Sequence, residues 1–444
     1  MTKPESPAHQ PEFAATAVEV ADTVVPSPAE SPSGAAHPVG AGDPAHEPIS
    51  IVSVSDSESY LKWATQLLST LPDVEAHVYL LDNPILPTDE QIANAVAETA
   101  WEGHDIPVVP RSELGAVLSR HRPDIVLGAA TGPIVAQLFL TASALDPRPA
   151  LVSGLPGMGL PASGKGMNYR RLMDAFLAHS FTEVGEYRAV SAMRRVPAEI
   201  LLGRLPMLRS ESVPQPPSPR ELSTAPRSLV FAPQAKVPAA AENREAIITA
   251  LAAFADRHPE SRAIVKMRSR PGEHETHHEQ HSYFDIIASL KAQGVPGADR
   301  LEIGYGPLTA FLTPGAALVT VSSTAALESI DRSIPTLLIS DFGFDRELLN
   351  EVYADSGAEG TLADVAAGRI GFPNRAWLAE NYFHDDDGSL RRSLGLLALR
   401  ARTRQLPDRR RSIWKQKRML MRAEARTFTP TPVIRVYRRI RYGR

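Results

Sequence analysis

The sequence predicts an α/β protein with two doubly wound, Rossmann-like domains in tandem, and three observations support this. Apolar segments of strand length alternate with segments of helix length, which is the pattern of parallel βαβ units. The alternation stops at a proline-rich stretch near the middle of the chain and then starts again. With 444 residues and 43% hydrophobic content, the chain is long enough for two packed cores.

The first predicted domain covers residues 49–211. Before it, residues 1–48 are rich in Ala, Pro, Ser and Glu, and their apolar surface is too small to offset the entropy of ordering, which predicts a disordered tail. The predicted strands are ISIVSV, EAHVYLL, DIPVVP and the start of PDIVLGAATGPIVAQLFLTAS, with PALVSGLPGM and MDAFLAHS as the last ones. The predicted helices are SESYLKWATQLL, DEQIANAVAETAW, RSELGAVLSRHR and the remainder of the PDIVLGAATGPIVAQLFLTAS segment.

Prolines then accumulate in SVPQPPSPRELSTAPR, which predicts a semi-rigid linker over residues 212–227. The second predicted domain covers residues 228–385. Its strands are SLVFAPQ, RAIVKMR, LEIGYG, ALVTVSS and IPTLLISDF, and its helices are ENREAIITALAAFADRHP, THHEQHSYFDIIASLKAQG and TAALESIDRS. Ligands of doubly wound sheets bind at the carboxyl ends of the strands, so we expect a ligand between the two domains.

Composition excludes several classes of protein. The chain contains no cysteine, which excludes disulfides, thiolate zinc sites and cysteine catalysis. It has no run of about 18 apolar residues and no secretory signal pattern at its N-terminus. These features favour a cytoplasmic protein.

Charge is distributed very unevenly. Residues 391–444 contain 18 Lys and Arg against two acidic residues, whereas the rest of the chain contains 29 basic and 49 acidic residues. The basic extension, residues 386–444, is either a solvated tail or a segment that binds an anionic surface. No nucleic-acid-binding motif accompanies it, so we expect no nucleic-acid partner and favour peripheral attachment to the inner face of the plasma membrane.

The segment LVTVSSTAALESIDRS carries the clearest candidate site. A predicted strand leads directly into Ser322, Ser323 and Thr324, where a helix begins. The unpaired N–H groups of a helix N-terminus bind phosphate, and small hydroxyl residues complete such a site. Ordinary helix capping by Ser or Thr is the alternative. Glu328, one turn into the helix, is placed to accept hydrogen bonds from sugar hydroxyls.

The segment VKMRSRPGEHETHHEQH follows another strand of the same domain. It contains an H-E-x-x-H pattern from His274 to His278, with Glu302 as a conceivable third zinc ligand. Lys266, Arg268 and Arg270 stand close by and would repel a metal ion. Three interpretations remain open: an anion-binding loop that includes His274, a solvated histidine cluster, and a zinc site. The first is favoured, so no metal is predicted.

Two segments of the first half are candidates for the acceptor side. Asp56 and Glu58 directly follow the first strand, where a carboxylate is placed to act as general base, although helix capping explains these residues equally well. The glycine-rich LPGMGLPASGKGMNYR (residues 155–170) matches neither nucleotide-binding glycine pattern, and it predicts a mobile loop lining the acceptor cleft.

Together these halves resemble a GT-B glycosyltransferase. In such an enzyme two doubly wound domains face each other, and the second domain holds the donor. The similarity is to bacterial enzymes of capsule, sialic-acid and teichoic-acid assembly. Their basic strand-end motif and their Ser-Ser/Thr motif before a downstream Glu have KMRSRPGEH and SSTAALES as counterparts here, although KMR stands where they usually have His-Pro. RRLMDAFLAHSFTEVGEY resembles their segment in which Asp and His-Ser precede a Glu. The resemblance covers residues 49–385 and is closest to an actinobacterial family of glycosyltransferases.

The resemblance implies roles for individual residues. Ser322, Ser323 and Thr324 would hold the donor phosphates with help from Lys266, Arg268 and His274, and Asp56 would be the base. GT-B enzymes usually bind these phosphates with helix dipoles and basic side chains, which implies no metal and no cofactor beyond the nucleotide-sugar donor.

The predicted function is therefore metal-independent transfer of a sugar, or a related unit, from a nucleotide-activated donor to a cell-envelope glycan or lipid-linked acceptor. A nucleotide-sugar epimerase shares this two-domain plan and is one alternative. A catalytically inactive, membrane-associated binding or scaffold protein is another, and a zinc hydrolase is a third.

Overall fold

The computed structural model describes residues 48–84, 86–210, 212–267 and 281–427, with side chains described up to residue 421. It contains two parallel β-sheets, both within one compact unit, Pro44–Arg444. The predicted disordered tail lies, apart from Pro48, outside the described residues, and so do the H-E-x-x-H pattern and the end of the basic extension. The prediction of two doubly wound sheets is confirmed.

The first sheet has seven parallel strands in the order β3-β2-β1-β4-β5-β6-β7. Their bounds are β1 Ile49–Ser55, β2 Val74–Leu81, β3 Val108–Val109, β4 Ile125–Ala129, β5 Ala150–Ser153, β6 Ala175–Ala178 and β7 Glu199–Leu202. Every residue of β4, β5 and β6 is buried, because helices cover both faces of a parallel sheet. The strand order reverses between β1 and β4, which is the switch point of this sheet.

The second sheet has six parallel strands in the order β10-β9-β8-β11-β12-β13. Their bounds are β8 Ser228–Phe231, β9 Arg262–Lys266, β10 Leu301–Gly304, β11 Ala316–Thr320, β12 Thr336–Ile339 and β13 Glu359–Gly360. Its switch point lies between β8 and β11. The two sheets thus repeat one winding pattern around equivalent switch points.

Fourteen α-helices lie within the described ranges. They are α1 Glu58–Thr70, α2 Asp89–Val96, α3 Leu114–His121, α4 Gly132–Ala142, α5 Gly164–Tyr169, α6 Phe181–Arg194, α7 Pro219–Ser223, α8 Ala241–Arg257, α9 Tyr283–Ala292, α10 Ala325–Asp331, α11 Leu362–Ala367, α12 Arg375–Glu380, α13 Ser389–Arg402 and α14 Arg410–Thr427. None of the helices in this part of the chain is long and apolar enough to cross a membrane.

The structure corrects several predicted elements. MDAFLAHS is not the last strand of its half, since α6 and the edge strand β7 follow it. The predicted mobile loop at 155–170 contains α5, and the predicted linker contains α7, which a Ser218–Glu221 capping box stabilises. The predicted helix is interrupted at residues 281 and 282, and α9 begins at Tyr283, because Ser282 is extended and its hydroxyl accepts a hydrogen bond from the Phe284 N–H.

Beyond the second sheet the chain returns to the first. Tyr382 and Phe383 are buried in the core of the second half, and α13 then packs against the first sheet. Leu394 and Leu397 of α13 lie in the same core cluster as β1. Helix α13 therefore packs back from the second half onto the first.

The first part of the basic extension is not a solvated tail. Arg402 forms an ion pair with Asp124 at 2.7 Å, and Arg400 forms one with Glu199 at 2.9 Å. Arg409 is buried and pairs with the buried Asp174 at 3.0 Å. These arginines neutralise acidic side chains of the first half, so that they join the extension to the domain.

Candidate functional site

Several of the predicted site residues lie at the two switch points. Asp56 directly follows β1 at the switch point of the first sheet, and Ser322, Ser323 and Thr324 follow β11 at that of the second. Because the strands of each sheet are parallel, their carboxyl ends open onto a single edge where ligands of this fold class bind.

At the switch point of the second sheet, two hydrogen bonds between Ser322 and Gln234 hold the loops after β11 and β8 together. Ser322 is fully buried, and its hydroxyl donates to Gln234 Oε1 at 2.8 Å. Gln234, in the loop after β8, donates from Nε2 to the Ser322 carbonyl oxygen at 2.7 Å. The Ser322 hydroxyl therefore joins the two loops, and the neighbouring hydroxyls remain as the ones open to a ligand.

Ser323 and Thr324 are half-buried at the start of α10. The Ser323 hydroxyl accepts a hydrogen bond from the Ala325 N–H at 3.2 Å, and Tyr353 donates to the Ser323 carbonyl oxygen at 3.1 Å. Complete burial raises the pKa of Tyr353, which keeps this phenol a hydrogen-bond donor. Within the described residues, the Thr324 hydroxyl has no hydrogen-bond partner, so it is the group here that a ligand can engage.

A loop of the first half reaches this turn. Gly157 has a φ of +84°, and a Cβ built on it would lie 2.9 Å from Thr324 Cγ2. Glycine is needed for both reasons, since other residues disfavour that conformation and no side chain fits the gap. The contact places the loop after β5 directly beside the N-terminus of α10.

Glu183 holds this loop in place. Its buried carboxylate accepts hydrogen bonds from the N–H groups of Gly159 and His179, both at 2.7 Å. Tyr382, which belongs to the core of the second half, donates to the same carboxylate at 2.8 Å. Burial, followed by the charge of Glu183, raises the pKa of Tyr382, so its proton stays on the phenol. One carboxylate thus joins the loop, β6 and the second half.

Two further contacts join the halves. Arg346 of the second half forms an ion pair with Glu186 of α6 at 3.2 Å. Asp331, the last residue of α10, accepts hydrogen bonds from the N–H groups of Arg209 and Ser210 at 2.8 and 3.1 Å. Helix α10 is therefore fixed at its start by the first-half loop and at its end by the segment leading into the linker.

The predicted basic loop is only partly described. Lys266 ends β9, is half-buried and makes contacts of its own, whereas Arg268, Arg270 and His274 lie outside the described residues. Glu302, the conceivable third zinc ligand, accepts a hydrogen bond from Arg262 Nη2 at 2.5 Å. The Arg262 hydrogen bond lowers the pKa of Glu302, so this carboxylate is engaged on the strand surface.

At the switch point of the first sheet, the Asp56 carboxylate accepts hydrogen bonds from the turn after β4. Asp56 is 1% exposed, and its Oδ2 accepts hydrogen bonds from the Thr131 N–H at 2.9 Å and the Thr131 hydroxyl at 2.5 Å. Ser57 donates to the other oxygen at 3.3 Å. Thr131 caps α4, so Asp56 fixes the turn after β4 to the end of β1. Glu58, in the first turn of α1, is half-buried.

Sequence reasoning missed a buried guanidinium beside Asp56. Arg170 is 3% exposed and donates to Ser153 Oγ at 2.9 Å, to the Ala130 carbonyl at 3.0 Å and to the Tyr60 hydroxyl at 3.2 Å. The described residues place no carboxylate in ion-pair contact with it. Burial raises the pKa of Tyr60 despite the opposing charge of Arg170. Nothing in the local NYRR sequence distinguishes Arg170 from its half-buried neighbour Arg171.

Glu328 lies one turn into α10 and is half-buried. Its carboxylate has no hydrogen-bond or ion-pair partner in the described part of the chain. It therefore retains acceptor capacity on the helix that Thr324 begins, and its binding of sugar hydroxyls stays a prediction.

Several solved structures share this architecture. The structure of a "putative UDP-N-acetylglucosamine 2-epimerase" from Listeria monocytogenes has a TM-score of 0.50 and 13% identity, over 81% of this chain and 98% of its own. A UDP-GlcNAc 2-epimerase from Methanocaldococcus jannaschii has a TM-score of 0.48 and 12% identity, covering 79% and 99%. A UDP-glucosyltransferase from Polygonum tinctorium has a TM-score of 0.43 and 12% identity, covering 85% and 99%. At such identities the likeness shows the two-domain, GT-B-like fold alone.

Sequence comparison is more specific. No curated protein matches the chain. A family model described as "Putative glycosyltransferase (DUF6716)" matches residues 51–397. The chain belongs to this family. The matched region includes both sheets apart from the first two residues of β1, both switch points and most of α13, so the family's defining unit contains nearly all of the two-domain core.

Proposed function

We propose that this protein transfers a glycosyl unit from a nucleotide-activated donor to a cell-envelope glycan or lipid-linked acceptor. The observation that carries this proposal is the contact of Gly157 with Thr324, because it brings a first-half loop to the helix N-terminus of the second half. Family membership supports the transferase class. A transferase must hold donor and acceptor next to each other, so the edges that bind them have to be adjacent.

The second half is proposed to hold the donor. The Thr324 hydroxyl and the N–H groups at the start of α10 would bind a donor phosphate, and Ser323 would support the turn that presents them. Lys266, Arg268, Arg270 and His274 would add positive charge from the neighbouring strand end. These groups stabilise the negative charge that develops on the departing nucleotide, which needs no metal ion.

The first half is proposed to activate the acceptor hydroxyl. Asp56 and Glu58 are the two carboxylates available as general base. Asp56 is fully engaged with Thr131 and Ser57, so using it would require this turn to open, whereas Glu58 is already half-buried at the edge. Arg170 and Tyr60 beside them would orient an acceptor oxygen.

The proposal is tested by thermal unfolding of the purified chain with CMP, CDP, UDP, GDP or ADP, each with and without EDTA. We expect one nucleotide to raise Tm, since a ligand at about 100 times its Kd adds about 2.7 kcal/mol to stability. The shift should survive EDTA, be reduced in Lys266→Ala and disappear in Thr324→Val, which removes the hydroxyl and keeps the shape.

Ser223→Ala is the matched control, because this exposed hydroxyl bonds only to a carbonyl within α7 and should leave the nucleotide shift unchanged. The absence of any nucleotide shift would contradict a donor site. A shift that EDTA abolishes would contradict metal independence.

The epimerase alternative is separated by a second measurement. Incubation of the donor identified above without acceptor should release no altered free sugar if the protein is a transferase. Release of an epimerised sugar would instead support the epimerase, whose fold this chain shares. Binding without turnover over a broad acceptor panel would support the inactive binding protein.

A further inference from the structure

Helix α14 has one face that contacts the protein and one that does not. Ile413 packs on the core of the first half, and Gln416 is 1% exposed and donates to the Tyr169 carbonyl oxygen at 3.2 Å. On the other side, Trp414 is 61% exposed and Met421 is 60% exposed. Two large apolar side chains seven residues apart lie on one stripe of a helix.

Positive charge surrounds this stripe. Arg410, Arg411, Lys415, Lys417 and Arg418 are all exposed, and the Arg418 guanidinium lies over the Trp414 ring at 5.2 Å. At 100° per residue, Lys417 lies on one side of the stripe and Arg418 on the other. An aromatic stripe flanked by cations is the composition of helices that lie in the interface of an anionic bilayer.

The rest of the chain opposes attachment by any other face. Residues 1–390 contain 29 basic and 49 acidic residues, so an anionic surface repels most of the molecule. Four arginines near α14, at positions 400, 402, 404 and 409, are already paired with carboxylates of the first half. Among the α14 cations whose side chains the structure describes, up to residue 421, only Arg410 has an ion-pair partner, Asp408 at 3.7 Å.

The helix also has a direction relative to the site. Arg409 is anchored to Asp174, which precedes β6 and therefore marks the amino edge of the sheet. Seven residues later Gln416 reaches Tyr169, whose ring lies against Gly132 at the start of α4 and hence at the carboxyl edge. From its N-terminus to its C-terminus, α14 therefore runs toward the carboxyl edge of the first sheet, the edge that holds Asp56.

We infer that α14 attaches the protein to an anionic lipid surface through Trp414 and Met421, with the cations around them in contact with lipid phosphates. Attachment through α14 holds the first half against the lipid surface, since α14 packs on α4 and donates a hydrogen bond to the end of α5. If the proposed transfer is correct, the acceptor is a lipid-linked glycan presented at that surface. This last step alone rests on the proposed function.

Vesicle co-sedimentation of the full chain tests the inference, with phosphatidylcholine vesicles and with vesicles containing about one third phosphatidylglycerol. We expect binding to the anionic vesicles only, weakened by salt since about 0.5 M screens exposed charges. Trp414→Ala with Met421→Ala should reduce partitioning about tenfold or more, because both apolar groups lose their lipid contact. Point substitutions are preferable to truncation, which would also remove the packed residues Ile413 and Gln416.

The matched control is Met193→Ala with Leu396→Ala, which removes two exposed apolar side chains (74% and 55% exposed) from α6 and α13. This control should sediment like the unmodified chain. Equal binding of the Trp414/Met421 double variant, or equal binding to neutral vesicles, would overturn the inference. Absence of vesicle binding together with salt-sensitive RNA binding through the same cations would do so as well.

The nucleotide-induced Tm shift of the same variants separates this inference from the proposed function. The Trp414/Met421 variant should keep the shift while it loses vesicle binding. Vesicle binding without any nucleotide shift would leave the lipid attachment standing and remove the donor site.

Discussion

The two switch points occupy the same place in their sheets, yet each is closed by different chemistry. Asp56 and Thr131 join the first one through a carboxylate that accepts three hydrogen bonds, beside the buried Arg170. Ser322 and Gln234 join the second one through neutral groups and leave the Thr324 hydroxyl at a helix N-terminus. A charged edge suits proton transfer from an acceptor, whereas a hydroxyl-lined helix start suits phosphate.

The largest effect is expected at the first switch point. Asp56→Ala leaves the N–H and hydroxyl of the half-buried Thr131 without an acceptor, so we expect a loss of about 3 kcal/mol in unfolding free energy. Denaturant titration measures it. Asp56→Asn retains one acceptor oxygen and should lose about half as much. An unchanged midpoint in Asp56→Ala would show that Asp56 does not hold the two strand ends together.

The contact between the two edges is tested by Gly157→Ala. The substitution combines an unfavourable φ of +84° with a Cβ that lies 2.9 Å from Thr324 Cγ2, and we expect a loss of about 2 kcal/mol. Gly103→Ala is the matched control, because its φ is +74° and nothing lies within 4 Å of its added Cβ. It should lose only about 1 kcal/mol.

Thr324→Ser in the Gly157→Ala background removes the clashing methyl group. In denaturant titration, the added substitution should raise the unfolding free energy of Gly157→Ala until its loss is no larger than that of Gly103→Ala. If stability does not recover, the two edges are not in contact in solution.

Ser322→Ala tests whether the second switch point separates structure from binding. Loss of the hydrogen bond to Gln234 should lower the unfolding free energy by about 1 kcal/mol. The nucleotide-induced Tm shift should remain, since the Ser322 hydroxyl faces the protein. If the shift disappears while stability is unchanged, Ser322 binds the donor directly.

The smallest effect is expected far from both edges, at the exposed pair of Arg262 and Glu302. Glu302→Gln should change stability by no more than about 0.5 kcal/mol at neutral pH, as for other surface ion pairs. Because the pKa of Glu302 is lowered in the folded state, its contribution is present above the unfolded pKa and is lost as pH falls through the folded pKa. The variant and the unmodified chain should therefore converge in acid, as pH-dependent unfolding would show.

Much of the fold follows from hydrophobic patterning, and less of the site does. Buried strands such as β4 and β11 are continuous apolar runs that end at a turn, so the strand ends could be placed from sequence, whereas the strand order that makes two of them switch points could not. The short strand β7 and the capped start of α9 were missed, because their boundaries depend on local hydrogen bonds. Asp56 could be located but not its engagement with Thr131, which lies 75 residues away.

The interdomain contacts were the least predictable part. Glu183 appeared in a segment that resembles known enzymes, but its joint contact with Gly159 and Tyr382 depends on three separate parts of the chain. Arg170 carries no local signal because only its burial makes it unusual. The division of the basic extension into paired arginines and exposed cations likewise required the packing of α13 and α14.

The return of α13 to the first sheet also determines the order in which the protein can be completed during synthesis. Leu394 and Leu397 of α13 pack in the same core cluster as Ile51 and Leu127 of the first sheet. This face of the sheet therefore stays uncovered until residue 402 has left the ribosome. The second domain, although later in the chain, has all its strands before residue 361, and its two core clusters contain no residue of α13. The half that is made first is therefore finished last.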